Sequence, residues 1–254
     1  MCLIFIALKH HPAYKLIVAA NRDEFYNRRT AAAAYWPDHP DILGGRDLEA
    51  MGTWLAMTKT GRLAMVTNFR DLRNIKAQAP SRGKLVTDFL LDDVSGEDYL
   101  RKVQPHAKEF NGFSLIAGTV DSLAYLSNYA NGLIPLRSGL FGLSNHLLET
   151  PWPKVEKGKR EIQTLLDTGR LDQHELFRVL SDETISADNK LPDTGVGLER
   201  ERSLSAAFIK SPGYGTRSST VILVDNNNHV EFHERVFHPK TSEFSFNSFR
   251  FTID

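Results

Sequence analysis

The chain has 254 residues, of which 41% are hydrophobic and 10% aromatic, a composition typical of a globular protein with a substantial core. Lysine plus arginine number 31, as do aspartate plus glutamate, so the formal net charge is zero and the main electrostatic reason to propose nucleic acid or an anionic membrane as a partner is absent. A single cysteine excludes a disulfide within the chain.

The N-terminal apolar run matches neither a signal peptide nor a membrane span. Lys9, His10, His11 and Pro12 interrupt the run, and no basic residue precedes it. No window reaches the roughly 18 consecutive apolar residues of a membrane span. We therefore expect a soluble, cytoplasmic protein that has no integral membrane segment.

The first half of the chain predicts strands followed by two helices. Residues 2–8 and 14–20 are apolar without alternation, which indicates strands buried on both faces. After a proline-containing loop, residues 52–69 predict a hairpin around the turn TKTG. Helical spacing follows over 81–93 and 96–109, and a serine that can cap the helix precedes each.

The second half repeats this alternation of strands, helices and strands. Its predicted elements are a strand pair over 113–131, a strand over 139–145, amphipathic helices over 154–167 and 173–181, a polar loop or lid over 183–205 and a closing hairpin over 219–237. Strands buried on both faces need covers on both sides. We therefore predict one α+β domain, residues 1–254, built as a layered sandwich.

Cys2 directly follows the initiator methionine. Removal of that methionine would leave a free α-amine beside the thiol, with ordinary pKa values of about 8 and about 8.5. The amine can then take the thiol proton, so the nucleophile carries its own general base. The alternative is a small hydrophobe that only packs in an apolar strand.

The polar sequence NRDE, residues 21–24, ends the second apolar run. Burying its three charged side chains is costly unless they are solvated or paired. Arg22 beside a thiol would favour the thiolate, and Asp23 could hold an ammonium group. The alternative is a surface turn with an Arg–Asp pair.

Asn68, Asn145 and Arg217 lie at the ends of predicted strands. An asparagine amide can donate to a developing oxyanion, but asparagine also commonly terminates a strand in a turn. Arg217 follows two glycines and could bind a carboxylate or steady the site. No phosphate-binding glycine motif is present.

The last hairpin carries a pattern that could bind a metal. His229, Glu231 and His233 alternate and so share one face of a strand. We interpret that face as a solvated edge, because no third strong ligand lies nearby. His10 and His11 are interpreted as turn residues.

Many separated blocks of the sequence together resemble the NRDE-motif family, also called the transport and Golgi organisation family. The resemblance is carried, in order, by MCLIF, LIVAANRDEFYNRR, GTWLAM, RLAMVTNFRD, SRGKLVTDFL, GFSLIAG, GLSNHLLETPW and PGYGTRSSTVILVD. Met51 departs from it, since the family often has a second glycine before Gly52.

The resemblance implies a four-layer αββα sandwich of the N-terminal nucleophile hydrolase type, similar to choloylglycine hydrolase and penicillin V acylase. It also implies the residues of a site. These are Cys2 as nucleophile, Arg22 and Asp23 beside it, Asn145 as oxyanion donor, Asn68 as a second asparagine, and Arg217 as a distal arginine.

Two hypotheses of function follow. The first is a cysteine amidohydrolase that cleaves a non-peptide C–N bond of a small acyl-amide and requires no cofactor or metal. The second is a non-catalytic carrier of haem or a lipid-like hydrophobic ligand on the same scaffold, since the family is linked with haem trafficking and lipid metabolism. The histidines at 10, 11 and in the last hairpin would then be candidate iron ligands.

Overall fold

The computed structural model describes residues 2–253. Its strands are β1 Cys2–Leu8, β2 Tyr14–Phe25, β3 Thr30–Trp36, β4 His39–Asp47, β5 Leu55–Thr58, β6 Arg62–Asn68, β7 Phe113–Thr119, β8 Ser122–Ser127, β9 Leu133–Leu136, β10 Gly139–Leu143, β11 Lys210–Ser211, β12 Tyr214–Asp225, β13 His229–His238 and β14 Glu243–Thr252. Its helices are α1 Arg82–Leu91, α2 Gly96–Val103, α3 Pro153–Thr168, α4 Gln173–Leu180 and α5 Leu198–Leu204, with short 3-10 segments at Leu72–Asn74, Gln104–Glu109 and Asp188–Lys190.

The strands form two antiparallel sheets. One has the order β10-β1-β2-β12-β13-β14, with the short β11 paired to β12, and the other has the order β3-β4-β5-β6-β7-β8-β9. In the first sheet, β1 lies between β10 and β2, so both of its edges are hydrogen-bonded. The strand that begins at Cys2 is therefore a central one.

The side chains of β1 show why the N-terminal run is apolar without alternation. Leu3 and Phe5 pack against α3 and α4, whereas Ile4 and Ile6 pack against the second sheet. A third apolar cluster joins the outer face of the second sheet to α1 and α2. The fold is thus the expected four-layer αββα sandwich.

Several elements differ from the sequence-based expectation. The predicted proline-containing loop holds β3 and β4, the segment predicted as a polar loop or lid ends in α5, and β13 pairs with a further strand, β14. Alanines in β3 have weak strand propensity. In β4, a Cβ added at Gly44 would lie 2.5 Å from the Cβ of Ala56. Close packing against β5, rather than local strand propensity, therefore favours a strand at this position.

Candidate active site

Cys2 occupies the first position of β1, directly opposite Arg22 of β2. It is 7% exposed and borders a cavity of about 320 Å³ together with Arg22, Asp23 and Asn68. Burial raises the pKa of the Cys2 thiol, and the Arg22 guanidinium acts in the opposite direction. A larger depression of about 620 Å³ runs along α3, but none of the residues expected in the site lines it.

The NRDE sequence continues β2 instead of ending it. The strand runs through to Phe25, and Asn21, Arg22 and Asp23 are buried rather than placed in a surface turn. The expectation that the strand ends before residue 21 is therefore wrong. Hydrogen bonds and charged neighbours offset the cost of burying these polar groups inside a sheet.

Within NRDE, Asn21 connects separate parts of the fold through hydrogen bonds. Its amide donates to the backbone oxygens of Leu180 and Ala207, each at 2.8 Å. Its side-chain oxygen accepts a hydrogen bond from the Ser219 hydroxyl at 2.7 Å. One side chain thus ties the end of α4 and the segment before β11 to the first sheet.

Arg22 projects between the sheets towards the second one. Its guanidinium lies 4.1 Å from the ring centroid of Trp54 and donates to the Thr30 hydroxyl at 3.2 Å. Stacking on an indole is a favourable setting for a desolvated guanidinium. Arg22 is therefore held beside Cys2 by contacts that leave its positive charge near the thiol.

Asp23 lies in a group of buried charges. Its carboxylate accepts a hydrogen bond from the Thr216 hydroxyl at 2.7 Å. Burial raises the pKa of Asp23, while the Lys154 ammonium lowers it. Lys154 itself is 4% exposed and donates to the backbone oxygens of Leu204 and Ala206 at 2.9 and 3.4 Å. Burial lowers the pKa of Lys154 to about 8.

A second buried pair anchors the segment that contains α5. Arg70 and Glu201 form an ion pair at 2.8 Å, and their side chains are only 3% and 5% exposed. Glu201 also accepts hydrogen bonds from the backbone N–H and the hydroxyl of Thr194, at 2.8 and 2.6 Å. The end of the predicted lid is therefore tied to the protein interior.

The two asparagines lie next to each other at the ends of β6 and β10. The Asn145 side chain is fully buried and donates to the backbone oxygen of Asn68 at 3.1 Å. The neighbouring Ser144 hydroxyl donates to the backbone oxygen of Cys2 at 3.2 Å. Asn68 borders the cavity, and Asn145 is not among the residues that line it. The Asn68 amide can donate to an oxyanion formed on a carbonyl attacked by the thiol, whereas the Asn145 amide is bonded to Asn68.

Arg217 lies apart from the cavity, at an irregularity in the pairing of β12 with β2. Its guanidinium donates to the backbone oxygens of Phe25 and Arg28 at 2.9 and 3.0 Å. Irregular pairing often re-aims side chains next to a site. In this conformation Arg217 steadies the turn after NRDE.

The histidine-containing face of β13 does not lie at a sheet edge, although His229 is exposed and Glu231 is half-buried. β13 lies between β12 and β14, and His233 is buried and contacts Glu231 at 3.2 Å and the Ser248 hydroxyl at 2.9 Å. His229 instead contacts Asp225 at 2.9 Å. Among residues 2–253, no group of three or more His, Cys, Asp or Glu side chains is arranged to hold a metal ion.

Sequence reasoning missed the residues that surround Asp23 and Arg22. Lys154 and Arg70 occupy positions that look like ordinary polar sites in a helix and a loop, so no local pattern marks them as buried. Trp54 and Arg82 border the cavity, and Arg70 does not. All three belong to blocks that carry the family resemblance, namely GTWLAM, SRGKLVTDFL and RLAMVTNFRD. Membership of those blocks was the feature of the sequence that could have marked these residues as part of the site.

Comparisons with known proteins agree with this architecture. The model of the family "Transport and Golgi organisation 2" matches residues 1–239. The chain belongs to that family. It is 38% identical to the human Transport and Golgi organization protein 2 homolog over 275 residues, covering 100% of this chain and 99% of the relative. It is 30% identical to the Drosophila melanogaster protein of that name, covering 92% and 91%.

One solved structure resembles this chain in its fold. A mutant conjugated bile acid hydrolase from Clostridium perfringens superposes with a TM-score of 0.51 and 8% sequence identity, covering 98% of this chain and 92% of that one. The likeness places the chain in the N-terminal nucleophile hydrolase fold. Within residues 2–253, no helix is both long and apolar enough to cross a membrane.

Proposed function

We propose that this protein is a cysteine amidohydrolase that cleaves the C–N bond of a small acyl-amide. The observation that carries the proposal is the placement of Cys2 opposite Arg22 at the wall of a cavity that Asp23 and Asn68 also border. The N-terminal nucleophile hydrolase fold supports it, because the first strand of that fold presents a nucleophile whose own amine acts as the base. The proposal requires that the peptide bond before Cys2 is cut.

The reaction uses the groups of the cavity in turn. The freed amine of Cys2 takes the proton from Sγ, and the thiolate attacks the amide carbon to form a C–S bond. Asn68 donates to the oxyanion, Asn145 positions Asn68 through its bond to the Asn68 backbone oxygen, and Asp23 holds the ammonium. The ammonium proton passes to the leaving nitrogen as the C–N bond breaks. Water then attacks the thioester, which releases the acid and restores the thiol.

Protein with Cys2 as its first residue, prepared by protease cleavage of a fusion, tests the proposal. We expect it to hydrolyse members of a panel of acyl-amides, and we expect the Cys2→Ala variant and the protein that retains Met1 to be inactive. Equal turnover by all three proteins, or by none, contradicts the proposal. Intact-mass measurement of protein from the natural host shows whether Cys2 is freed there.

Carriage of haem or a lipid-like ligand stays a prediction from the family resemblance. His10 and His11 lie in the turn between β1 and β2, where His10 contacts Gln163 at 3.2 Å. A haem titration followed by absorbance tests this alternative directly.

A further inference from the structure

The cavity beside Cys2 is bordered by three arginines, Arg22, Arg28 and Arg82. They come from different elements, since Arg22 lies in β2, Arg28 in the turn after it, and Arg82 at the first position of α1. A guanidinium taken out of water needs hydrogen-bond acceptors for its donors, and an anion offsets its charge best. The partners of these three groups therefore indicate what the cavity can bind.

Arg28 is neutralised within the protein, and the carboxylates at the cavity wall have partners other than Arg22 and Arg82. Asp47 accepts hydrogen bonds from two nitrogens of Arg28 at 2.8 and 2.7 Å. Glu24 accepts from the next backbone N–H at 2.9 Å and lies 3.9 Å from Arg28. Asp23 is bonded to Thr216 at 2.7 Å.

Arg22 and Arg82 have only neutral acceptors. Arg82 donates to the backbone oxygen of Gly112 at 3.0 Å, and Arg22 donates to the Thr30 hydroxyl. Among residues 2–253, neither forms an ion pair within 4.0 Å. Arg22 is 5% exposed and Arg82 is half-buried. Burial lowers the pKa of both guanidinium groups, and the nearby Glu24 carboxylate opposes that shift without forming an ion pair with either.

The start of α1 is held firmly at the cavity wall. A Cβ added at Gly52 would lie 2.6 Å from the backbone carbon of Gly83, and one added at Gly83 would lie 3.0 Å from the backbone oxygen of Thr53. Glycine is required at position 52, and a side chain at position 83 would force the Thr53 backbone to shift. The positive end of the α1 dipole and the Arg82 side chain therefore border the same space in a fixed position.

We propose that the cavity selects small amides that carry a carboxylate, and that Arg82 is the specificity-determining residue that binds the carboxylate, with Arg22 beside it. The claim that the bound molecule is a substrate rests on the proposed amidohydrolase function, whereas the claim that the cavity binds a carboxylate does not. A guanidinium with free donors binds a carboxylate through paired hydrogen bonds. The cavity volume of about 320 Å³ suits a small ligand.

Binding to the inert Cys2→Ala protein tests the carboxylate site without requiring turnover. The probes are N-hexanoylglycine, with its carboxylate on the amine side, and glutaric acid monoamide, with its carboxylate on the acyl side. Each is compared by calorimetry with its neutral carboxamide analogue. We expect at least one probe to bind about tenfold or more tightly than its analogue. Equal affinities, or no binding of either probe at millimolar concentration, overturn the inference.

Variants of Arg82 then assign the site. Arg82→Gln should abolish the preference for the charged probe, and Arg82→Lys should retain part of it because the charge remains. Arg101→Gln, at an exposed position of α2 where Arg101 pairs with Glu97, should retain all of it. A preference that survives Arg82→Gln overturns the assignment. Should Arg82→Gln not fold, an Arg82→Lys variant with unchanged affinity for both probes overturns it instead.

Turnover separates this inference from the amidohydrolase proposal. With Cys2 freed, the carboxylate-bearing amide should have a kcat/KM about tenfold or more above that of its neutral analogue, and Arg82→Gln should remove the difference. A protein that binds the charged probe selectively but hydrolyses neither amide refutes the amidohydrolase function and leaves the carboxylate site standing. Hydrolysis of both amides at equal kcat/KM supports the amidohydrolase function and refutes the carboxylate site.

Discussion

Cys2 and Arg22 lie opposite each other in the register of β1 and β2, so a buried thiol and a buried guanidinium meet at one cavity wall. Burial raises the pKa of the Cys2 thiol above its ordinary value of about 8.5, so its alkylation by iodoacetamide should still accelerate above pH 9. Arg22→Gln removes one of the cations that lower this pKa, and we expect alkylation at pH 8 to be roughly two- to fivefold slower. Arg101→Gln serves as the control, and equal rates for all three proteins contradict the prediction.

Asn21 should contribute to stability rather than to reactivity. Asn21→Ala leaves the buried oxygens of Leu180 and Ala207 and the Ser219 hydroxyl without their partner. We expect the free energy of unfolding to fall by about 3 kcal/mol in urea titrations. Ser219→Ala, which removes only one of these bonds, should cost about 1 kcal/mol. An Asn21→Ala protein as stable as the wild type would show that the bonds contribute nothing.

The sequence was informative where a side chain's surroundings follow from its own strand. The run from Cys2 to Leu8 is apolar on both faces because β1 separates two apolar layers, and the buried strand could be read from that pattern alone. The burial of Lys154 could not be predicted in this way, because Lys154 occupies a polar position of an amphipathic helix. Only the packing of α3 against the segment at Leu204 buries it. The electrostatic surroundings of Asp23 therefore depend on tertiary contacts.

The same reasoning explains the errors in secondary structure. NRDE looks like the end of a strand because three of its four residues are charged, yet partners from distant segments bury it. The backbone oxygens that accept from Asn21 lie 159 and 186 positions further along the chain. No local propensity contains that information. Of the six site residues that the family resemblance implies, Cys2, Arg22, Asp23 and Asn68 border one cavity, Asn145 and Arg217 do not, and Arg82 borders the cavity without having been assigned.

The buried ion pair of Arg70 and Glu201 should stabilise the segment around α5. Glu201→Gln leaves the Arg70 charge without its carboxylate partner, and we expect a loss of about 3–5 kcal/mol in the free energy of unfolding. The double variant Arg70→Met with Glu201→Gln should lose less than the sum of the single losses, because the uncompensated charge is gone. Additive losses in urea titrations would argue against the coupling.

Lys154 should make stability depend on pH in the alkaline range. Its pKa is about 8 in the folded protein and 10.5 ordinarily, so between these values the unfolded chain binds more protons and stability rises with pH. Below pH 8 the ammonium is charged in both states, and the cost of its burial is fully present. Relative to Lys154→Met, the wild type should gain up to about 1.4 kcal/mol per pH unit between pH 8 and 10. Lys157→Met, on the same helix but half-exposed, should keep this rise, and a constant difference between wild type and Lys154→Met contradicts the prediction.

Met51 stands where the family often has glycine, and its backbone explains that preference. Its φ is +55°, in the left-handed region where a side chain other than glycine costs roughly 1–2 kcal/mol. Because Met51 is 55% exposed, little packing is lost on its removal. We expect Met51→Gly to raise the free energy of unfolding by about 1 kcal/mol, after allowance for the greater entropy of glycine in the unfolded chain. The adjacent Ala50→Gly, at a position without positive φ, should instead destabilise the protein by about 0.5–1 kcal/mol, and the same sign for both variants would show that strain at residue 51 is not the cause.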